Sequence, residues 1–525
     1  METAGSLADE VVSRMSVKLP IVHGTSGSES ALRPHLRRLS EKLWTWRYSL
    51  SALFIPVLIR TLPELIVGPY PVGYDTIASY VPNTMDWTSG KLAPIGLLET
   101  APLMYIISIS LYYFARIDPL WIFKIMGPAL YGLMIWSLFR FSRLSLGWTS
   151  RQALAGSLLT SVFFVSLRIS WDLYRYMLGL AFLLFALSML PAPRTLKGKA
   201  VLSALVALAV AANQLTGVTI LLLLGARALT VLSKRRPSEF FQLFAISMPG
   251  LGLQLAIFYA GLLAPRGNLI QVQPLVTSLD TIVSTLGFLI LAFLPIIPLA
   301  LLGRKSVKSL ELKTWSVLCV VGALTALSPL VGVGSNGYRL ILHLDVPLCI
   351  YAAAGIRQLS GTTSLSLRLG PSVRRHLTPA FTVLILALAI SYATLPAEIA
   401  LPYYTAFPTF IPTSMIQNTV PLSDMGNLKD ALHWTNTHMS PDVVLITHQA
   451  IYGWVREYLP SLNRVINYGI SSPLVGLEMA RSAGFGRVFM IWWIDGQGWH
   501  GQQYVPAAFE LEFTAGNIAV YTSRL

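Results

Sequence analysis

Gly68-Pro-Tyr-Pro-Val-Gly-Tyr-Asp75-Thr-Ile-Ala-Ser-Tyr-Val-Pro82 follows directly on the apolar run 47–66. That run is long enough to cross the roughly 30 Å of bilayer hydrocarbon as a helix. The two prolines and two glycines that open the quoted segment turn it into a polar loop. A carboxylate, Asp75, is thereby set at the mouth of a membrane span. Whether the rest of the chain repeats this alternation of apolar run and polar connection decides the fold.

The alternation continues. Of 525 residues, 54% are hydrophobic and only 12% charged, with a mean hydropathy of +0.61, whereas about a quarter of a soluble protein's residues are charged. Apolar runs at 47–66, 119–138, 152–169, 174–190, 200–213, 216–233, 239–262, 280–302, 314–332, 339–357 and 377–396 predict eleven spans. Arg140/Arg143/Arg151, Arg194/Lys197/Lys199, Lys234/Arg235/Arg236, Arg304/Lys305/Lys308/Lys313 and Arg357/Arg368/Arg374/Arg375 fall in every second connection, as cytoplasmic loops should. This parity predicts a cytoplasmic segment 1–44, a membrane domain 45–396 and an extracytoplasmic domain 397–525, in an integral protein of the plasma membrane. The formal charge of +15 is then a topology signal, and no nucleic-acid partner is expected. Residues 1–40 lack the order of a cleaved signal peptide, with Arg33-Pro-His-Leu-Arg37-Arg38 placed as a cytoplasmic flank. Cys319 and Cys349 both fall in predicted spans and form no metal or redox motif.

The stretch 93–118 is apolar enough to cross, but a crossing there would invert every later basic loop. With Pro94, Glu99 and Pro102 it is expected to lie at, or re-enter from, the outer face. Residues 67–118 then form one long first outer loop. From Gly426 the pattern becomes that of a small α/β unit. Helices are expected at 427–439, 449–458 and 473–483, and strands at Val443–Thr447, near 464–467 and at Arg487–Trp493. A terminal pair near 509–514 and 517–522 completes it. No glycine-rich phosphate loop follows these strands. His433, His438 and His448 are dispersed, without a zinc-ligand pair. Trp454, Trp492, Trp493 and Trp499 are expected in the core or towards the membrane, with sugar stacking as the other use.

Ionisable groups at membrane depth are costly and mark functional sites. The ionisable and polar residues expected at the outer ends of the spans are Arg168, Asp172 and Arg175 in Leu167-Arg-Ile-Ser-Trp-Asp172-Leu-Tyr-Arg175, then Asn213-Gln214, Arg266, and Arg339, His343 and Asp345 at the start of the tenth span. Arg339 and His343, four apart, share a helical face. An arginine there can fork two donors onto a phosphate, or snorkel to headgroups with His343 bonded inside the bundle. Asp172, four after Arg168 and three before Arg175, makes either a structural ion-pair cluster or a set of groups that orients a substrate or metal. Asp75 is either a general base or a helix cap. Asp86, and after it Glu99, are the further acids of the first loop.

With these features the chain resembles the GT-C superfamily of integral-membrane glycosyltransferases, which includes oligosaccharyltransferase catalytic subunits and protein O-mannosyltransferases. The shared marks are an acid in the first long outer loop (Pro71-Val-Gly-Tyr-Asp75-Thr), amphipathic segments completing that loop (Pro94 to Tyr113), an Arg/Asp-bearing second short loop (Arg168 to Arg175), a late outer-end Arg339, and a globular unit after the last span. The resemblance implies a polytopic all-α membrane domain followed by a small α/β domain. It implies transfer of a sugar from a polyprenyl-phosphate donor to a protein, glycan or lipid acceptor, with Asp75 as catalytic base and Arg339 as lipid-phosphate ligand. His343, Asp172, Arg168, Arg175 and Asp86 complete the expected substrate-binding set. Many relatives place two adjacent acids in the first loop, whereas Asp75 lies between Tyr74 and Thr76, so a divalent metal stays an open question. A polytopic transporter or lipid flippase is the main alternative; it would show an internal repeat and midplane polar groups. A non-catalytic envelope subunit is the other.

Overall fold

The computed structural model of the chain describes residues 29–191, 195–263, 279–326, 337–360, 371–394, 420–459, 462–498 and 501–525. The chain divides into two compact units, Met1–Tyr48 and Ser49–Leu525. The first carries the start of helix α1 (Glu29–Val67), and the second everything described below. Arg266, Arg194, Arg368 and Trp499 lie outside the described residues.

After α1, a single π-helical turn over Thr76–Tyr80 runs into α2 (Val81–Thr88), α3 (Pro94–Glu99) and α4 (Leu103–Ala115). The region 93–118 is thus two short helices rather than one, broken at Ala101 (φ 60°) and stopped at Arg116 (φ 53°). Next comes α5 (Pro119–Leu144), started by the Asp118 carboxylate, which accepts the Leu120 N–H at 2.9 Å, and by Pro119 in the first turn. Thr149 and Gln152 form a capping box that opens α6 (Ser150–Val162). The predicted span 152–169 does not continue straight. Phe163 is extended (φ −76°, ψ 129°), and α7 (Phe164–Asp172) leaves α6 at 68°. Phe163 itself is buried against Phe164 and Phe293, and the Tyr131 hydroxyl donates to the Ser161 carbonyl at 2.8 Å just before the break. Broken helices are tolerated at membrane depth only where protein satisfies the freed groups in this way.

Helices α8 (Tyr174–Met189), α9 (Leu196–Ala212), α10 (Gln214–Ser233) and α11 (Pro237–Leu263) follow, then α12 (Leu279–Phe293), α13 (Ile297–Gly303), α14 (Leu310–Ala326), α15 (Gly337–His343), α16 (Asp345–Ser360) and α17 (Pro371–Thr394). Among the described residues six helical stretches are long and apolar enough to cross a membrane, or eight if the α6/α7 pair and the α12/α13 pair, bent by 77°, each count once. The expected runs at 174–190 and 200–213 are helical but only 16 and 17 residues long. α5 packs on α8, α9 on both α8 and α11, and α13 on α16. The α13/α16 crossing depends on two glycines: a Cβ on Gly303 would lie 1.9 Å from the Tyr351 carbonyl oxygen, and one on Gly355 1.9 Å from that of Leu299. Small residues let membrane helices approach this closely.

The remaining described residues build a five-stranded mixed sheet in which Val465–Asn467, Val443–Thr447, Arg487–Trp493, Ile518–Arg524 and Glu510–Ala515 lie side by side in that order. α18 (Leu422–His438) precedes β1 (Val443–Thr447), and α19 (Gln449–Tyr458) leads to β2 (Val465–Asn467). α20 (Pro473–Ser482) leads to β3 (Arg487–Trp493), and β4 (Gln497–Gly498) pairs with β5 (Gly501–Gln502). β6 (Glu510–Ala515) and β7 (Ile518–Arg524) close the chain. β1 runs parallel to β2 and β3, while β7 is antiparallel to β3 and β6. Every β1 residue is buried, as are six of the seven in β3, as central strands covered on both faces are, while the edge strand β6 is largely exposed.

Gly355→Ala is expected to destabilise the membrane helices by about 1–3 kcal/mol or more, as overpacking does. Thermal unfolding in detergent measures this; an unchanged midpoint would show that the helices part at no cost.

Candidate functional site

The site forms where the loop after α1 meets the end of α7. Gly73 has φ +81°, a region open to glycine but strained for other residues. A Cβ there would lie 2.6 Å from Asp172 Cβ, so the loop backbone lies directly on that side chain. Two residues on, the Asp75 N–H donates to Asp172 Oδ2 at 3.1 Å. Arg168, one turn back along α7, pairs with the same carboxylate through both its Nη atoms. All nine residues of α7 are buried, Asp172 completely. Thr76 adds a hydroxyl bond to the Val72 carbonyl at 2.8 Å and meets the Tyr174 hydroxyl at 3.0 Å.

Asp75 itself is half-buried. Its backbone is already helical (φ −65°, ψ −21°), and its side chain makes no capping bond. No hydrogen bond or ion pair joins its carboxylate to another described residue. Burial, and after it the Asp172 charge, raise its pKa against the pull of Arg168, Arg339 and Arg175, from 3.8 to about 6 in all. The carboxylate therefore lies within the electrostatic reach of three guanidinium groups and one buried acid.

Of the other expected residues, Arg175 donates through Nη1 to the Thr100 carbonyl and lies over the rings of Tyr80 (5.9 Å) and Tyr105 (5.8 Å). Its Nε is buried with no hydrogen-bond partner among the described residues. Arg339 is exposed. His343, on the same helix, is buried, with Nδ1 2.5 Å from the Tyr176 hydroxyl, Nε2 2.8 Å from Thr219 Oγ1, and Trp315 against its ring. Both its nitrogens are engaged, so the shared face with Arg339 does not give a shared ligand. Asp345 is also buried and accepts from Ser166 at 2.5 Å. Asp86 is drawn away from Asp75 into an ion pair with Arg456 of α19 at 2.6 Å. Glu99 accepts at its carbonyl from Gln214.

A second charged cluster lies beneath the loop. Glu64 of α1 pairs with Arg60 at 2.7 Å and with Lys124 of α5 at 2.7 Å, all three buried. Arg60 also donates to the carbonyls of Ser170 (2.9 Å) and Trp171 (3.1 Å), and Lys124 to that of Tyr70 (2.8 Å). The three residues tie the end of α7 to the start of the acid loop. Sequence reasoning passed over them, although charges inside apolar runs at 47–66 and 119–138 were the available signal.

Asp172 is committed to Arg168 and the Asp75 amide, and among the described residues no group of three or more His, Cys, Asp or Glu is arranged to hold a metal ion.

No family model and no curated protein matches the sequence. A solved structure of the Archaeoglobus fulgidus oligosaccharyltransferase, in complex with Zn and sulfate, is similar to the chain at 12% identity and a TM-score of 0.43, over 84% of this chain and 68% of that one.

The raised pKa of Asp75 has a consequence for stability. The folded state holds this proton more tightly than the unfolded chain, so the stabilisation is full below pH 3.8 and is lost as pH rises through about 6. Asp75→Asn, neutral throughout, should therefore gain in melting temperature relative to wild type between pH 4 and pH 7. A constant difference across that range would show that the carboxyl titrates as it does in water.

Proposed function

We propose that the chain is a membrane glycosyltransferase that moves a sugar from a polyprenyl-phosphate donor to an extracytoplasmic acceptor, with inversion at the anomeric carbon. The observation that carries this reading is the uncommitted carboxylate of Asp75 among guanidinium groups, at the end of apolar helices. A lipid phosphate already makes a good leaving group, so one base suffices. Asp75, with a pKa of about 6, is ionised at neutral pH yet more basic than an ordinary aspartate. It accepts the proton of an acceptor hydroxyl or amide as that atom attacks the anomeric carbon from the face opposite the phosphate. The bond from that carbon to the phosphate oxygen breaks, and its electron pair leaves on the phosphate.

Arg339 receives that phosphate, exposed where a lipid headgroup would arrive, and the unpartnered Nε of Arg175 is a further donor. Arg168 and Asp172 neutralise each other and hold the loop. The local excess of cations over carboxylates suits an anionic donor and keeps Asp75 ionised. The lipid reaches the site sideways from the bilayer, and the acceptor from the aqueous side.

Asp75→Asn should remain folded and lose about 10²–10⁴-fold in turnover, the usual contribution of a positioned base. Purified protein with a panel of labelled polyprenyl-phosphate hexoses measures this, and full activity in the variant would refute the assignment. Arg339→Ala should raise the KM for the lipid donor more than that for the acceptor. Equal kinetics would remove the phosphate role.

A further inference from the structure

One stripe of α19 lies against the acid loop, although more than 360 residues separate the two in sequence. Gln449, Gly453 and Arg456 are spaced i, i+4 and i+7, hence on one helical face. The Gln449 side chain donates to the Tyr74 hydroxyl at 3.0 Å, and that hydroxyl donates to the Gln449 carbonyl at 3.2 Å. A Cβ on Gly453 would lie 2.7 Å from Ala78 Cα and 2.8 Å from the Ile77 carbonyl oxygen, so helix and π-helical turn touch backbone to backbone. Arg456 donates to the Ala78 carbonyl at 3.3 Å, to Asn83 Oδ1 at 3.0 Å and to Asp86 Oδ2 at 2.6 Å. The Asp75 backbone is therefore held on one side by Asp172 and, through its neighbours Tyr74 and Ala78, on the other by α19. A π-helical turn is an uncommon conformation that needs such support.

We infer that α19 is a positioning element for Asp75, with Gln449 and Arg456 as positioning residues, so that transfer at the acid loop depends on the sheet unit being docked. The inference rests on the proposed role of Asp75 as base. It assigns Asp86 to this clamp through Arg456. A base displaced by about 1 Å can lose ~100-fold in rate while substrate binding is little changed, so the effect belongs in turnover rather than donor affinity.

The test uses full-length protein in lipid nanodiscs, comparing wild type with Gln449→Ala, Arg456→Ala, Gly453→Ala and the exchange Arg456→Asp with Asp86→Arg. Hydrogen–deuterium exchange over residues 74–88 is read beside turnover on a short-chain polyprenyl-phosphate hexose. Expected are faster exchange in the single variants, a turnover loss of about 10-fold or more with donor KM within about twofold, and partial recovery of both in the charge exchange. Wild-type exchange in Arg456→Ala and Gly453→Ala would overturn the clamp, as would faster exchange with unaltered turnover. Should wild type transfer no sugar, the base assignment falls by itself, and the exchange rates alone still decide whether α19 orders the loop.

Discussion

Asp172 is a carboxylate without access to water, and that constraint shapes the site around it. An ion taken from water into a protein interior loses several kcal/mol of solvation unless its oxygens are met by other groups. Arg168 meets both oxygens from the same helix, and the Asp75 amide meets one from the loop. The second contact requires the loop backbone to come down onto the side chain, which only glycine allows at position 73. The bend at Phe163 is what brings α7 into the interior at the needed angle. Helix break, glycine and buried ion pair thus form one arrangement whose product is the placement of Asp75.

The Arg60–Glu64–Lys124 cluster reinforces that placement from below. Its three charges come from two helices, and the two cations, Arg60 and Lys124, donate to carbonyls on both sides of the contact between Gly73 and Asp172. Arg60 satisfies two backbone oxygens at the end of α7, where intrahelical partners run out, and Lys124 one in the loop after α1. Buried networks of this kind are costly when half-made and rigid when complete. The acid loop is therefore fastened through its backbone, and the Asp75 carboxylate remains outside both networks.

Environment separates the acids that composition alone treats alike. Asp172 and Glu64 are each paired in the interior, and Asp86 is paired with Arg456. Asp75 differs in keeping its oxygens uncommitted while its main chain is fixed. That combination, a fixed backbone with an uncommitted side chain, suits the role of base proposed for it. The sheet unit enters through α19, so two distant parts of the chain converge on five residues of π-helical turn.

Local chemistry was legible in the sequence wherever one signal dominated. Continuous apolar runs placed β1 and β3 at Val443–Thr447 and Arg487–Trp493, and the proline and glycine after residue 67 ended α1. A charge beside an apolar run is expensive, which marks Asp75, and the same rule inside the runs marks Arg60, Glu64 and Lys124. α18 begins at Leu422, ahead of the expected start and directly after Pro421, with no side-chain cap. The break at Phe163 was not legible, since hydropathy measures how apolar a segment is and not its direction. Nor could spacing show that both His343 nitrogens have partners on α8 and α10, or that Asp86 turns towards α19. By itself the sequence determined which segments are apolar and which residues carry charge, because those are properties of side chains. Only the tertiary structure decided which charges meet, because burial makes a carboxylate's role depend on the partners that distant helices bring to it.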